Sequence, residues 1–144
     1  MKVSAKGRYG LVAMTYLAQN YGNGIPITIL TISKKLGISK IYLEQVFYLL
    51  KRARLLESAQ GSQGGYYLKI KPADITVYQI LSAIENTFME ETVSKSKISE
   101  INTAINKTVY EPLDKIVVEL FKSITLEDIV TATEKESAGI MYYI

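Results

Sequence analysis

The feature that narrows the fold most is a three-residue break, "GIS" at 37–39, set between two stretches of helical periodicity. Upstream, Ile29, Ile32 and Leu36 share one face of a helix that begins after Thr28 and stops at Gly37, with Ser33 small enough for a close helix crossing. Downstream, Ser39 is placed to cap a second helix reaching about Arg54, on which Leu43, Val46, Phe47 and Leu50 form a single stripe. A short helix, a turn holding Gly37 and a buried Ile38, and a longer helix with a free N-terminus make the pattern of a helix-turn-helix. An ordinary αα-hairpin writes a similar string, so the continuation has to decide.

"LLESAQ" at 55–60 and "YYLKI" at 66–70 are short strand candidates on either side of "GSQGG". A β-hairpin directly after a helix-turn-helix is the wing of a winged helix. The competing reading, a phosphate-cradling loop, needs G-x-x-x-x-G-K-[ST] opening a helix. Here Gly61, Gly64 and Gly65 lead into Tyr66, Tyr67 and Leu68, and no lysine follows until Lys69. The glycines are therefore read as a tight reversal that lets backbone approach DNA closely.

Around this unit, Tyr9, Val12, Ala13, Tyr16 and Leu17 predict an earlier helix, capped by Ser4 and ended by "NYGNG" at 20–24, with Pro26 barring an immediate restart. Thr76 is placed to cap a helix with Val77, Ile80, Leu81 and Ile84 inward, and residues 86–97 are polar and aperiodic. Leu113, Ile116, Val117, Leu120, Phe121 and Ile124 then form a broad seam on one long helix, with Pro112 in its first turn and Ile98, Ile101 and Ile105 marking a shorter helix before it. Thr125 caps a last helix, "LEDIVTATEK", and "SAGIMYYI" is an apolar, aromatic tail. The expected class is mainly α with a small β-hairpin: a winged helix-turn-helix over 1–85, a loop over 86–97, and dimerisation helices with a C-terminal tail over 98–144. A two-fold partner is the economical cover for the long seam. Packing back on its own domain is the alternative.

At 144 residues and 48% hydrophobic, the chain has enough apolar matter for one main core. It contains neither cysteine nor histidine, which removes thiolate and imidazole metal ligation, disulfides, and Cys or His nucleophilic catalysis. The N-terminus "MKVSAKGRYG" lacks an apolar signal segment and no run approaches a membrane span, so a cytoplasmic protein is expected. Residues 1–72 hold 11 Lys+Arg against only Glu44 and Glu57, a net +9, while residues 73–144 hold 6 against 12 acids, a net −6. So basic a half fits a polyanion, with a merely solvated basic surface as the alternative.

On the helix from Ser39, the side opposite the stripe carries Lys40, Ile41, Tyr42, Glu44, Gln45 and Tyr48. Base readout is assigned to Ile41, Glu44 and Gln45; glutamine suits a bidentate pair with adenine, and glutamate accepts from a cytosine amino group. DNA-backbone contacts are assigned to Lys2, Lys6, Arg8, Lys40, Tyr42, Lys51 and Arg52, with Lys34, Lys35, Lys69 and Lys71 as further candidates. Wing contacts are assigned to Gln60, Gly61, Ser62, Gln63, Gly64, Gly65 and Tyr66. No catalytic residue and no metal site are assigned: Glu90 and Glu91 are adjacent but no second motif supports them. A winged helix used as a protein-interaction module, without specific DNA binding, is the alternative function.

"KGRYGL" at 6–11, "GIS" followed by "YLEQVF" up to 47, "GSQGGYYL" at 61–68 and "ITVYQILSAIE" at 75–85 together resemble the Rrf2 (Rrf-two) family of bacterial winged-helix regulators. "SITLED" at 123–128 matches more loosely. The resemblance implies a sequence-specific DNA-binding transcriptional regulator, a repressor, working as a homodimer crossed through the long C-terminal helix. It implies that Glu44 and Gln45 read bases in the major groove of double-stranded operator DNA and that the wing reaches toward the minor groove. Many members hold an iron-sulfur cluster on three cysteines in the segment matching about 86–107; this chain has none, so no cysteine-ligated cluster and no other cofactor is expected. The family also usually has arginine where Gln60 stands, which removes a charge suited to a narrow minor groove. Cysteine-less members that repress cysteine-metabolism genes end, like "MYYI" here, in Met, two aromatics and Ile. They work with cysteine synthase, an enzyme that accepts peptides ending in isoleucine. The resemblance thus implies cysteine or sulfur metabolism genes as targets, and Tyr143 and Ile144 as a segment for that partner; an apolar strand packed on the dimer is the alternative for the tail.

Overall fold

A computed structural model describes residues 3–85 and 100–143. Four of its helix starts follow directly from local chemistry. The hydroxyls of Ser4, Thr28, Ser39 and Thr76 accept from the backbone N–H three residues on, at 3.1–3.2 Å, and so open α1 (Ala5–Gln19), α2 (Ile29–Leu36), α3 (Lys40–Arg52) and α4 (Val77–Ile84). Gly37 ends α2 in the left-handed region, at φ 68°, and its N–H donates to the Ser33 carbonyl. Ser33 does more than leave room for a crossing: its hydroxyl donates to the Ile38 carbonyl at 2.6 Å and closes the turn between α2 and α3.

The core forms where these helices meet. Leu43, Val46, Phe47 and Leu50 of α3 are fully buried, together with Met14, Ile32, Leu56, Ile75 and Ile80. The buried face of α1 is rotated from the expected stripe: Gly7, Gly10, Ala13, Met14, Leu17 and Ala18 face inward, whereas Tyr9 and Val12 are 40% and 45% exposed. The cause is close packing, since a Cβ at Gly10 would collide with the Ile84 side chain of α4. A stripe drawn through large apolar residues misses contacts made by glycine.

The wing is an antiparallel pair, β1 (Glu57–Ala59) and β2 (Gly65–Tyr67), in the register Glu57↔Tyr67, Ser58↔Tyr66, Ala59↔Gly65. Both strands are shorter than expected because Leu55, Leu56 and Leu68 leave the ladder to enter the core. A third segment joins them, as Ile27 donates to the Tyr66 carbonyl at 2.9 Å and accepts from its N–H at 2.7 Å. Gly65 makes this possible: it sits at φ +147°, and a Cβ there would lie 2.5–2.8 Å from Ile27 backbone atoms. Its close approach here is to the backbone of its own chain.

After a 3-10 turn at Pro72–Asp74 and α4, the C-terminal region begins with α5 (Glu100–Ile105), a π turn (Asn106–Tyr110) and α6 (Glu111–Ser123), consecutive helical segments rather than two separated helices. Ile124 does not belong to the α6 seam. Its backbone is extended, and its carbonyl accepts from Val77 N–H at 2.9 Å, because Thr125 and Asp128 cap α7 (Leu126–Tyr143) reciprocally and the chain must break before them. Phe121 and Ile124 pack within the chain on Val77 and Leu81, which leaves Leu113, Ile116 and Leu120 exposed and Val117 half-buried. The segment expected to be a tail continues α7 as helix to Tyr143, since Gly139 is its only weak helix former and a single glycine is tolerated. Leu126 is buried in the main core and Gln19 Nε2 donates to Thr133 Oγ1 at 3.1 Å, so α7 packs back on α1. Lys2, the loop expected at 86–97 with Glu90 and Glu91, Ile98 and Ile144 lie outside the described residues, as does the side chain of Tyr143. Among the described residues, no helix is long and apolar enough to cross a membrane.

Candidate nucleic-acid interface

With one face of α3 locked in the core, the other must face solvent. Ile41 is 71% exposed, Tyr48 65%, and Glu44 and Gln45 are exposed beside them. Two shallow grooves flank this face. In one, Lys6 of α1 lies beside Ile41, Gln45 and Tyr48. In the other, Thr28, the cap of α2, and Leu30 within it meet Lys40, Glu44 and the wing residues Gly61 and Ser62. Glu44 lines both grooves, so the three base-readout candidates, two cations and the wing tip form one continuous surface.

Other candidates have structural partners. The Tyr42 ring meets Tyr9 edge-on at 5.2 Å between centroids, which ties α3 to α1. Lys51 Nζ donates to Ser58 Oγ at 2.7 Å and pins the C-terminal end of α3 to β1. Tyr66 packs its ring on Phe47 at 4.8 Å, on the core side of the wing. Arg8 and Arg52 are exposed but line neither groove. Gln60, Gly61, Ser62 and Gln63 are exposed at the tip, where Gly64 N–H donates to the Gly61 carbonyl at 3.0 Å.

One of the two acids in the basic half is occupied. Glu57 accepts from Lys69 at 3.1 Å and from the Tyr67 hydroxyl at 2.9 Å. The Lys69 hydrogen bond, and then that of Tyr67, holds its carboxyl below the usual range, and Glu57 in turn pushes the Tyr67 phenol up. Lys69 therefore braces the wing. Leu30, 53% exposed beside Lys40, was missed as a surface candidate; its position off the Ile29, Ile32, Leu36 stripe is the signal that marks it.

This arrangement has close counterparts. The Rrf2 family model, described as an iron-dependent transcriptional regulator, matches residues 3–132. The regulator CymR of Bacillus subtilis is 34% identical over 144 residues, covering 100% of both chains. The regulator IscR of Cereibacter sphaeroides is 44% identical over 89 residues, 60% of this chain and 57% of that one. Among solved structures, T. potens IscR has a TM-score of 0.76 at 37% identity, covering 94% of this chain and 90% of its own. B. subtilis CymR, titled the global cysteine regulator, has a TM-score of 0.75 at 32% identity, covering 92% and 98%. The iron in the family's description finds no thiolate or imidazole here, and the described residues contain no cluster of carboxylates able to hold a metal ion; the donor set does not fit a cysteine-ligated cluster. With the family model spanning most of the sequence, a relative matched end to end and the same winged fold in solved structures, the chain belongs to the Rrf2 family of helix-turn-helix transcriptional regulators.

Proposed function

We propose that this protein is a cytoplasmic, homodimeric repressor that grips a palindromic operator with two copies of α3 and controls cysteine or sulfur metabolism genes. One observation carries the reading: Ile41, Glu44 and Gln45 are exposed on a helix whose other face is fixed in the core, with Lys6, Lys40 and the wing tip beside them. Gln45 pairs with an adenine, Glu44 accepts from a cytosine amino group, and Lys6 and Lys40 hold phosphates. The exposed apolar side chains of Leu113, Ile116 and Leu120 support a second copy as their cover. The full-length match to a regulator described as a global cysteine regulator supports the gene class.

The test is selection of bound sequences from random DNA, run with and without a purified cysteine synthase. A palindromic consensus is expected. Gln45→Ala then costs about 1–3 kcal/mol of discrimination at its position, while Lys40→Ala weakens all DNA alike and lowers the salt slope by about 1. Unchanged discrimination in Gln45→Ala would overturn the base assignment, and no retained DNA at low salt would turn the fold into a protein-interaction module. Deleting residues 141–144 is expected to abolish any effect of the synthase; binding unchanged by the deletion removes the tail from that role.

A further inference from the structure

Ile41 is the most exposed large apolar side chain among the described residues, at 71%. Of the other exposed large apolar side chains, Tyr48 shares its groove, while Ile101, Ile105, Val109, Leu113, Ile116 and Leu120 belong to the C-terminal helical segments. Beside Tyr48 and Leu49, its groove holds Lys6 on the opposite side, while Lys40 precedes it and Glu44 and Gln45 follow one turn on. Isoleucine is also a poorer helix former than alanine, lysine or glutamine, so helix stability does not account for it at a solvent-facing position. No core contact needs it, since it lies outside both apolar clusters of the fold.

In the major groove, the edges of the base pairs offer one prominent apolar group, the 5-methyl of thymine. Four residues along a helix advance about 6 Å, and base pairs along a duplex are spaced about 3.4 Å, so Ile41 and Gln45 reach bases one or two steps apart. We infer that Ile41 reads the 5-methyl group of a thymine within two base pairs of the one contacted by Gln45, which places an A·T-rich step in each operator half-site. The inference rests on the DNA-reading role proposed for α3 and adds the chemical group that the helix recognises.

The experiment replaces each thymine of the selected half-site, one at a time, with deoxyuridine, which keeps the pairing and removes only the methyl. Binding by the wild type and by Ile41→Ala is measured on every probe. Removing one buried methyl is worth about fourfold in affinity. The wild type loses about fourfold at one thymine per half-site, and Ile41→Ala, a change that raises helix propensity at an exposed site, shows no difference between thymine and deoxyuridine there. Tight operator binding in which every replacement is neutral, or weakens Ile41→Ala as much as the wild type, overturns the inference alone. A wild type for which no operator is selected overturns the underlying reading as well.

Discussion

Helices α3 and α6 are both 13 residues long and both carry an apolar stripe, yet Leu43, Val46, Phe47 and Leu50 of α3 are fully buried while no residue of α6 is. The difference lies in their neighbours. α3 is enclosed by α1, α2, α4 and the wing, whereas α6 packs on α4 through its Phe121 end and exposes Leu113, Ile116 and Leu120. Ahead of α6, Ile101, Ile105 and Val109 continue the exposed stripe at intervals of four residues. At that interval an α-helix drifts by about 40° per step, and the wider π turn at 106–110 takes back part of the drift. The lesson is that an apolar stripe predicts burial without naming the partner: α3 finds it inside the chain, and a second copy is proposed for α6.

Five changes break or sharpen this contrast. Phe47→Ala removes a ring at 0% exposure that packs on Tyr66, and urea unfolding is expected to show a loss of about 3–5 kcal/mol. Ile116→Ala, at a site 64% exposed, is expected to cost less than about 0.5 kcal/mol in the isolated monomer, and a loss as large as that of Phe47 would erase the contrast. Ile116→Asp combined with Leu120→Asp is expected to give a monomer by sedimentation, with operator affinity down on the order of a hundredfold through lost two-site binding.

Gly65→Ala forces a Cβ against Ile27 at a φ that L residues avoid, and is expected to cost roughly 1–3 kcal/mol and to speed hydrogen exchange at the Tyr66 amide. The smallest effect belongs to Glu57. Its folded pKa is lowered, so its contribution is present above the ordinary carboxylate range and is lost as pH falls through the folded value. The raised Tyr67 works the other way, with its contribution present below the ordinary phenol range and lost as pH rises through the folded value. A pH titration of wing amide shifts should show both limbs, and Glu57→Gln should abolish the acid one.

What could be read from residues alone was local. Ser4, Thr28, Ser39 and Thr76 announce their helices because a cap is a bond across three residues, and Gly37 announces its turn for the same reason. Ile41, Glu44 and Gln45 are placed on the outer face of α3 by the buried stripe behind them. The misreadings are distant contacts. Ile27 pairs with Tyr66 39 positions away, and Ile124 leaves α6 to bond Val77. Periodicity within one segment carries no trace of such partners.

The proposed function has two parts: a basic winged-helix unit that reads DNA and a second copy held through α6. Hydroxyl-radical footprinting of the wild-type protein on its selected operator tests both parts together. Two equivalent protected patches are expected on one face of the duplex, centred about 10–10.5 base pairs or a multiple of that apart. A single patch, or uniform protection that ignores sequence, would contradict the proposal.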